Sequence, residues 1–87
     1  MRSIILIFLV FNSISVLCQT SYEYNSSGVD KSELGDYKGA IADYNKAIQI
    51  NPENVKAYYN RGIAKYELQD YRGAISDYNK AIQIMPN

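Results

Sequence analysis

One stretch of this chain is written twice, 34 residues apart. Asp43-Tyr44-Asn45-Lys46-Ala47-Ile48-Gln49-Ile50 recurs unchanged from Asp77 to Ile84, and Asp36-Tyr37-Lys38-Gly39-Ala40-Ile41 recurs as Asp70-Tyr71-Arg72-Gly73-Ala74-Ile75. Upstream, Tyr24, Gly28, Lys31, Glu33 and Leu34 match Tyr58, Gly62, Lys65, Glu67 and Leu68, and Pro52 matches Pro86. Self-similarity at a fixed period of this size indicates a repeat architecture, in which each unit buries its apolar face against a neighbour. The sequence therefore divides into a leader at 1–18, a first repeat at 20–53 and a second at 54–87.

Each unit reads as two helices, so the fold class is all-α. Ala40, Ile41, Tyr44, Ala47 and Ile48 fall on one stripe at the 3.6-residue period, with Asp43, Lys46 and Gln49 assigned to the opposite, solvated face. Asp36 and Asp70 stand where a side-chain oxygen can accept from the exposed amides of a first turn. Asn51-Pro52 ends the second helix, because proline lacks a donor and pushes its predecessor out of the helical region, and Asn54 caps the helix that follows. The first helices are less regular. Thr20 with Glu23 reads as a capping box; Tyr24, Gly28 and Leu34 in one unit and Tyr58, Gly62, Ile63 and Leu68 in the other are assigned inward. A helical glycine costs about 1 kcal/mol relative to alanine, and close approach of the two helices, with Ala40, Ala47, Ala74 and Ala81 facing Gly28 and Gly62, is the expected compensation.

The leader differs in kind. Arg2, the unbroken apolar run from Ile4 to Phe11 and the polar Asn12, Ser13 and Ser15 read as a secretory signal peptide, too short for the roughly 20 apolar residues of a membrane span. Val16 and Cys18 suit cleavage before Gln19, giving a secreted or periplasmic product without a thiol. A lipid-bearing Cys18 fits less well because Leu17 is large, and an uncleaved signal anchor is the remaining alternative.

Composition narrows the function. With 9 Lys plus Arg against 9 Asp plus Glu, nothing marks nucleic acid or an anionic membrane as a target. There is no His, and the single Cys is Cys18, so zinc sites, Cys/His pairs and Ser/His/Asp triads are excluded by inventory. No cofactor, metal site or catalytic residue is assigned, and no enzyme activity is expected.

The alternation of large and small residues over a 34-residue helix–turn–helix unit resembles the tetratricopeptide repeat family. Six positions match twice over: Tyr24 and Tyr58, Gly28 and Gly62, Ala40 and Ala74, Tyr44 and Tyr78, Ala47 and Ala81, Pro52 and Pro86. Departures lie in the first helices, at Ser27 and Arg61, at Lys31 and Lys65, and at Asp30. The resemblance implies a short right-handed α-solenoid whose first helices line a concave groove for a peptide or helix of a partner protein. The implied groove residues are Tyr22, Asn25, Val29 and Glu33 from the first unit and Lys56, Tyr59, Asn60, Ile63 and Glu67 from the second, with Tyr59 foremost because tyrosine joins apolar area to a polar tip. Tyr24, Tyr44, Tyr58 and Tyr78 are assigned to the core. The Lys/Arg/Asn set with which some members hold a C-terminal carboxylate is not assembled; only Asn60, with Lys56 or Arg61, offers a part of it. Asn25-Ser26-Ser27 also spells a glycosylation acceptor.

Two function classes follow. One is a protein-binding adaptor acting after export. The other is the N-terminal fragment of a longer array, or a self-assembling structural unit, since two repeats are few for a stable array and the face through Ile75, Tyr78, Ile82 and Met85 has no partner in the sequence.

Overall fold

The computed structural model describes residues 20–85, so the expected signal peptide lies outside the described residues. Helix α1 covers 20–33, α2 Tyr37–Ile50, α3 Val55–Glu67 and α4 Tyr71–Ile84. No strand occurs among the described residues, and consecutive helices pack, α2 on α3 and α3 on α4. The two units are thus helical hairpins, α1 with α2 and α3 with α4.

The caps fall where the chemistry of the sequence puts them. The Asp36 carboxylate accepts from the Gly39 amide at 2.9 Å, Asp70 from Gly73 at 3.1 Å, and the Asn54 side chain from Ala57 at 3.1 Å. Each hairpin turn is a Schellman closure. The Asp36 amide donates to the Lys31 carbonyl at 2.9 Å and the Gly35 amide to Ser32 at 2.9 Å; Asp70 to Lys65 at 2.8 Å and Gln69 to Tyr66 at 2.9 Å repeat it. The left-handed residue is Gly35 in the first turn (φ 81°) but Gln69 in the second (φ 66°), where an L side chain is strained. Residue 20 is already helical, so Thr20 is not the N-cap expected of it. Leu34 does not face inward either. It lies in the turn after α1 and is 85% exposed, with Leu68 likewise exposed in the second turn.

The core is small and built from alanine and tyrosine. Ala40, Tyr44 and Ala64 form its centre, and Val29, Tyr37 and Ile41 pack against it. Ala47, Ala57, Ala74 and Ala81 are buried as well. Gly28 and Gly62 each face a tyrosine ring, and at Gly62 the Ala74 backbone stands beside it. A Cβ on Gly28 would run into the Tyr44 ring, 2.7 Å from Cδ1, and one on Gly62 would stand 2.7 Å from Tyr78 Cε1 and 3.2 Å from the Ala74 carbonyl oxygen. The absent side chain is the slot into which the ring fits. Of the four tyrosines assigned to the core, Tyr44 and Tyr58 are buried, whereas Tyr24 and Tyr78 are half-buried, because no described helix flanks the outer side of either hairpin.

Asp43 is likewise not on a solvated face. It turns into its hairpin, accepting from Ser27 Oγ at 2.7 Å and pairing with Lys31 Nζ at 3.0 Å. Asp77, its repeat, accepts a two-pronged contact from Arg61 (Nε to Oδ2 2.9 Å, Nη2 to Oδ1 2.7 Å) and pairs with Lys65 at 3.1 Å. The departures from the family pattern at Ser27, Lys31, Arg61 and Lys65 are therefore one device used twice, a carboxylate of the second helix held by polar groups of the first.

Candidate partner-binding groove

Helices α1 and α3 are joined by an amide pair, Asn60 Nδ2 donating to Asn25 Oδ1 at 3.1 Å. Further contacts fix their spacing: Asn54 Nδ2 donates to Ser21 Oγ at 3.0 Å, and Ser21 Oγ donates to the Ala47 carbonyl at 2.7 Å. These bonds satisfy polar groups that would otherwise be costly to bury, so they orient the helices as well as hold them. Below the amide pair opens a cleft of about 270 Å³ lined by Val29, Ser32, Glu33, Tyr37, Tyr44, Asn60, Ile63 and Glu67.

Five of the nine groove candidates, Val29, Glu33, Asn60, Ile63 and Glu67, line this cleft together. Val29 is half-buried on the core, while Glu33, Ile63 and Glu67 are exposed. Tyr22, Lys56 and Tyr59 are exposed but do not line it, and the Tyr59 ring leans on Tyr78 with centroids 5.7 Å apart. Asn25 is only 7% exposed. Its role is to hold Asn60, and that burial also removes it as an accessible glycosylation acceptor.

The sequence reading did not anticipate three lining residues, Ser32, Tyr37 and Tyr44. Ser32 Oγ and Tyr44 OH lie 3.3 Å apart across the hairpin. Burial raises the Tyr44 phenol above its ordinary value, more than the Ser32 contact lowers it. The missed signal was the repeated Tyr37 and Tyr71, which begin both second helices.

Charge is distributed unevenly around the cleft. Its lining carries the carboxylates of Glu33 and Glu67 and no cation, while Lys56 stands on the first turn of α3 and Glu67 at its end. Arg61 is committed elsewhere. Besides Asp77 it donates from Nη1 to Asn45 Oδ1 at 2.9 Å, and its guanidinium lies 5.4 Å from the Tyr58 ring centroid. The Asp77 hydrogen bonds raise the Arg61 pKa against the effect of burial. For Asp77 burial alone pushes the carboxyl upward, but the Arg61 and Lys65 bonds and charges together outweigh it and hold it below the usual range. This arrangement can grip an apolar segment with a basic end; it has no cationic set with which to hold a terminal carboxylate.

Among the described residues no group of His, Cys, Asp and Glu is placed to hold a metal ion, and no helix is long and apolar enough to cross a membrane.

Comparison with known proteins agrees with this architecture. A family profile described as TPR repeat matches residues 32–69, and one described as Tetratricopeptide repeat matches residues 55–87. The chain is 45% identical over 38 residues to a "Tetratricopeptide repeat protein 36 homolog" of Nematostella vectensis, a match covering 44% of this chain and 21% of that protein. The chain thus spans about a fifth of that relative's length. Repeats of this kind indicate a scaffold for protein–protein interaction. With a 34-residue period, glycine-to-tyrosine hairpin packing and profile matches that together run from residue 32 to residue 87, the chain belongs to the tetratricopeptide repeat family.

Proposed function

We propose that the chain is a non-catalytic adaptor that holds an apolar, basic-ended segment of a partner protein in the cleft between α1 and α3. The observation that carries this reading is the cleft itself, with Val29 and Ile63 as its apolar floor, Asn60 as a polar anchor and Glu33 and Glu67 at its rim. Burying apolar side chains there contributes affinity, and the two carboxylates select charge. Tyr22, Lys56 and Tyr59 extend the contact beyond the cleft. The test is a panel of helical peptides with an apolar face, in basic and acidic versions, titrated against the chain by fluorescence anisotropy. Basic peptides bind, Ile63→Asp abolishes binding, and Glu33→Lys combined with Glu67→Lys reverses the charge preference. Equal affinity for both versions, or indifference to Ile63→Asp, overturns the reading.

This adaptor acts after export. Arg2 and the apolar run Ile4–Phe11 support removal of a signal peptide next to Cys18 and a secreted or periplasmic product. The intact mass of exported protein is expected to start at or near Gln19; a mass that includes residues 1–18, or a lipid on Cys18, overturns it.

One observation favours a second reading, a leading pair of repeats that stacks on a further helical unit. Ile75 and Ile82 on α4 and Met85 at its C-cap are exposed.

A further inference from the structure

The second hairpin carries aromatic rings where the first does not. Tyr59 and Tyr66 stand seven residues apart on α3, and Tyr71 and Tyr78 seven apart on α4, so each pair shares one stripe of its helix. Across the hairpin they meet ring to ring. Tyr59 and Tyr78 have centroids 5.7 Å apart with planes tilted by 45°, and Tyr66 and Tyr71 have centroids 5.3 Å apart at an interplanar angle of 66°. The result is a ladder of two rungs. Burial raises the Tyr78 phenol above its ordinary value, and Tyr59, Tyr66, Asp77 and Glu67 raise it further, so a ring of the second rung and the Glu67 carboxylate both lie within reach of the first.

Folding of a hairpin does not require the two rings on α3. The first hairpin closes with Asn25 and Ser32 at the positions of Tyr59 and Tyr66, where Asn25 holds Asn60 and Ser32 meets the Tyr44 hydroxyl. Tyr59, Tyr66 and Tyr71 are each more than half exposed, and none of the four ladder hydroxyls makes a hydrogen bond among the described residues. Exposed rings with open hydroxyls offer flat apolar faces and polar tips together, the combination that favours contact with a partner.

The spacing of the rungs selects the partner's backbone. Seven residues of α-helix advance about 10 Å, and three residues of polyproline II advance about 9 Å. Prolines three positions apart therefore come to successive rungs. A polyproline II backbone has no internal hydrogen bonds, so its carbonyls are left for the tyrosine hydroxyls, whereas a helical partner uses its carbonyls internally. Glu67 is exposed next to the ladder and favours a basic residue beside the prolines. This chain holds two prolines, Pro52 and Pro86, 34 residues apart, and offers no such pair to a second copy. We propose that the ladder binds a proline-rich segment of another protein in polyproline II conformation, one proline of a Pro-x-x-Pro pair on each rung and a basic side chain against Glu67. This goes beyond the cleft reading, and Glu33, which lines the cleft and is no part of the ladder, keeps the two separable.

The probe is a fluorescein-labelled peptide with one Pro-x-x-Pro pair and a flanking arginine, titrated into the full chain by fluorescence anisotropy. Saturable binding is expected, weakened at least about tenfold by alanine at both prolines and to the same degree by Tyr59→Asn with Tyr66→Ser in the chain, and unchanged by Glu33→Lys. The two replacements are the residues of the first hairpin at the same positions, so the variant keeps the fold, which circular dichroism verifies. Glutamate in place of the arginine weakens binding, a preference that Glu67→Lys reverses. Absence of binding by the proline peptide overturns the proposal. So does equal binding of the alanine version, a comparison that needs no variant of the chain. Binding that Glu33→Lys removes and the tyrosine variant does not overturns it by placing the peptide in the cleft. Failure of the cleft reading shows instead in the helical peptides, with binding of the proline peptide intact.

Discussion

The same eight residues occupy α2 and α4, and they meet different fates. Tyr44 is 1% exposed while Tyr78 is half-buried, and Ile48 is half-buried while Ile82 is exposed. The carboxylates run the other way: the Asp77 side chain is 4% exposed against 14% for Asp43. Burial here is set by neighbours rather than by the residue. Helix α3 seals the apolar stripe of α2, whereas α4 has no described helix beyond it. Asp77 is nevertheless more enclosed than Asp43, because Arg61 covers it with a long planar side chain where Ser27 offers only a hydroxyl.

The sharpest way to break the comparison is at that pair. Arg61→Met leaves Asp77 with Lys65 alone and is expected to cost about 3 kcal/mol, the usual effect of removing one member of a buried ion pair. Ser27→Ala in the first repeat removes one hydrogen bond and costs about 1 kcal/mol. Urea unfolding of both variants checks the ratio; equal losses would mean that the two clusters are equivalent.

The glycines come next. Gly28→Ala pushes on a tyrosine that is only 1% exposed and is expected to cost about 2–3 kcal/mol, and Gly62→Ala, which meets the half-buried ring of Tyr78, about 1 kcal/mol. Thermal midpoints decide, and a larger loss at Gly62 would show that the ring of Tyr78 is the more constrained.

Acid bears on the more enclosed carboxylate, Asp77. The native Asp77 carboxyl titrates below its ordinary value, so the stability it contributes is fully present above about pH 4, the value of an unfolded aspartate, and is lost as pH falls through the lower native value. Asp77→Asn is expected to flatten the fall in urea midpoint below about pH 4, and an unchanged acid limb would show that this carboxylate does not carry it.

The smallest effect is in the turns. Gln69→Gly relieves a left-handed L residue and is expected to add up to about 1 kcal/mol, while Gly35→Gln costs a similar amount. Paired thermal melts test both signs.

Much of the fold was legible because its determinants are local. The 34-residue period, Asp36, Asp70 and Asn54 as caps and the alanine stripe each depend on a few neighbouring residues. The inward turn of Asp43 and Asp77 was not, since a carboxylate reads as surface unless its partners, 12 and 16 residues earlier, are considered with it. Leu34 misled for a related reason: its apolar character placed it inward, but the helix stops one residue before it. In the groove, Val29, Asn60 and Ile63 were named through the family resemblance, while Tyr37 and Tyr44 enter the cleft from the other helix of the hairpin and needed the packing to be known.

Asp36 and Asp70 each serve two helices at once, the backbone amide closing the first and the carboxylate opening the second. Inserting a residue beside either would break both ends together, so the hairpins are fixed in length. Pro52 and Glu53 are exposed, and between Asn51, which accepts from the Glu53 amide at 3.2 Å, and the Asn54 cap, whose side chain reaches Ser21 on α1, these two residues themselves are held by local bonds. Lengthening of the chain, whether by evolution or by grafting a loop, is therefore accommodated between its hairpins and not within them.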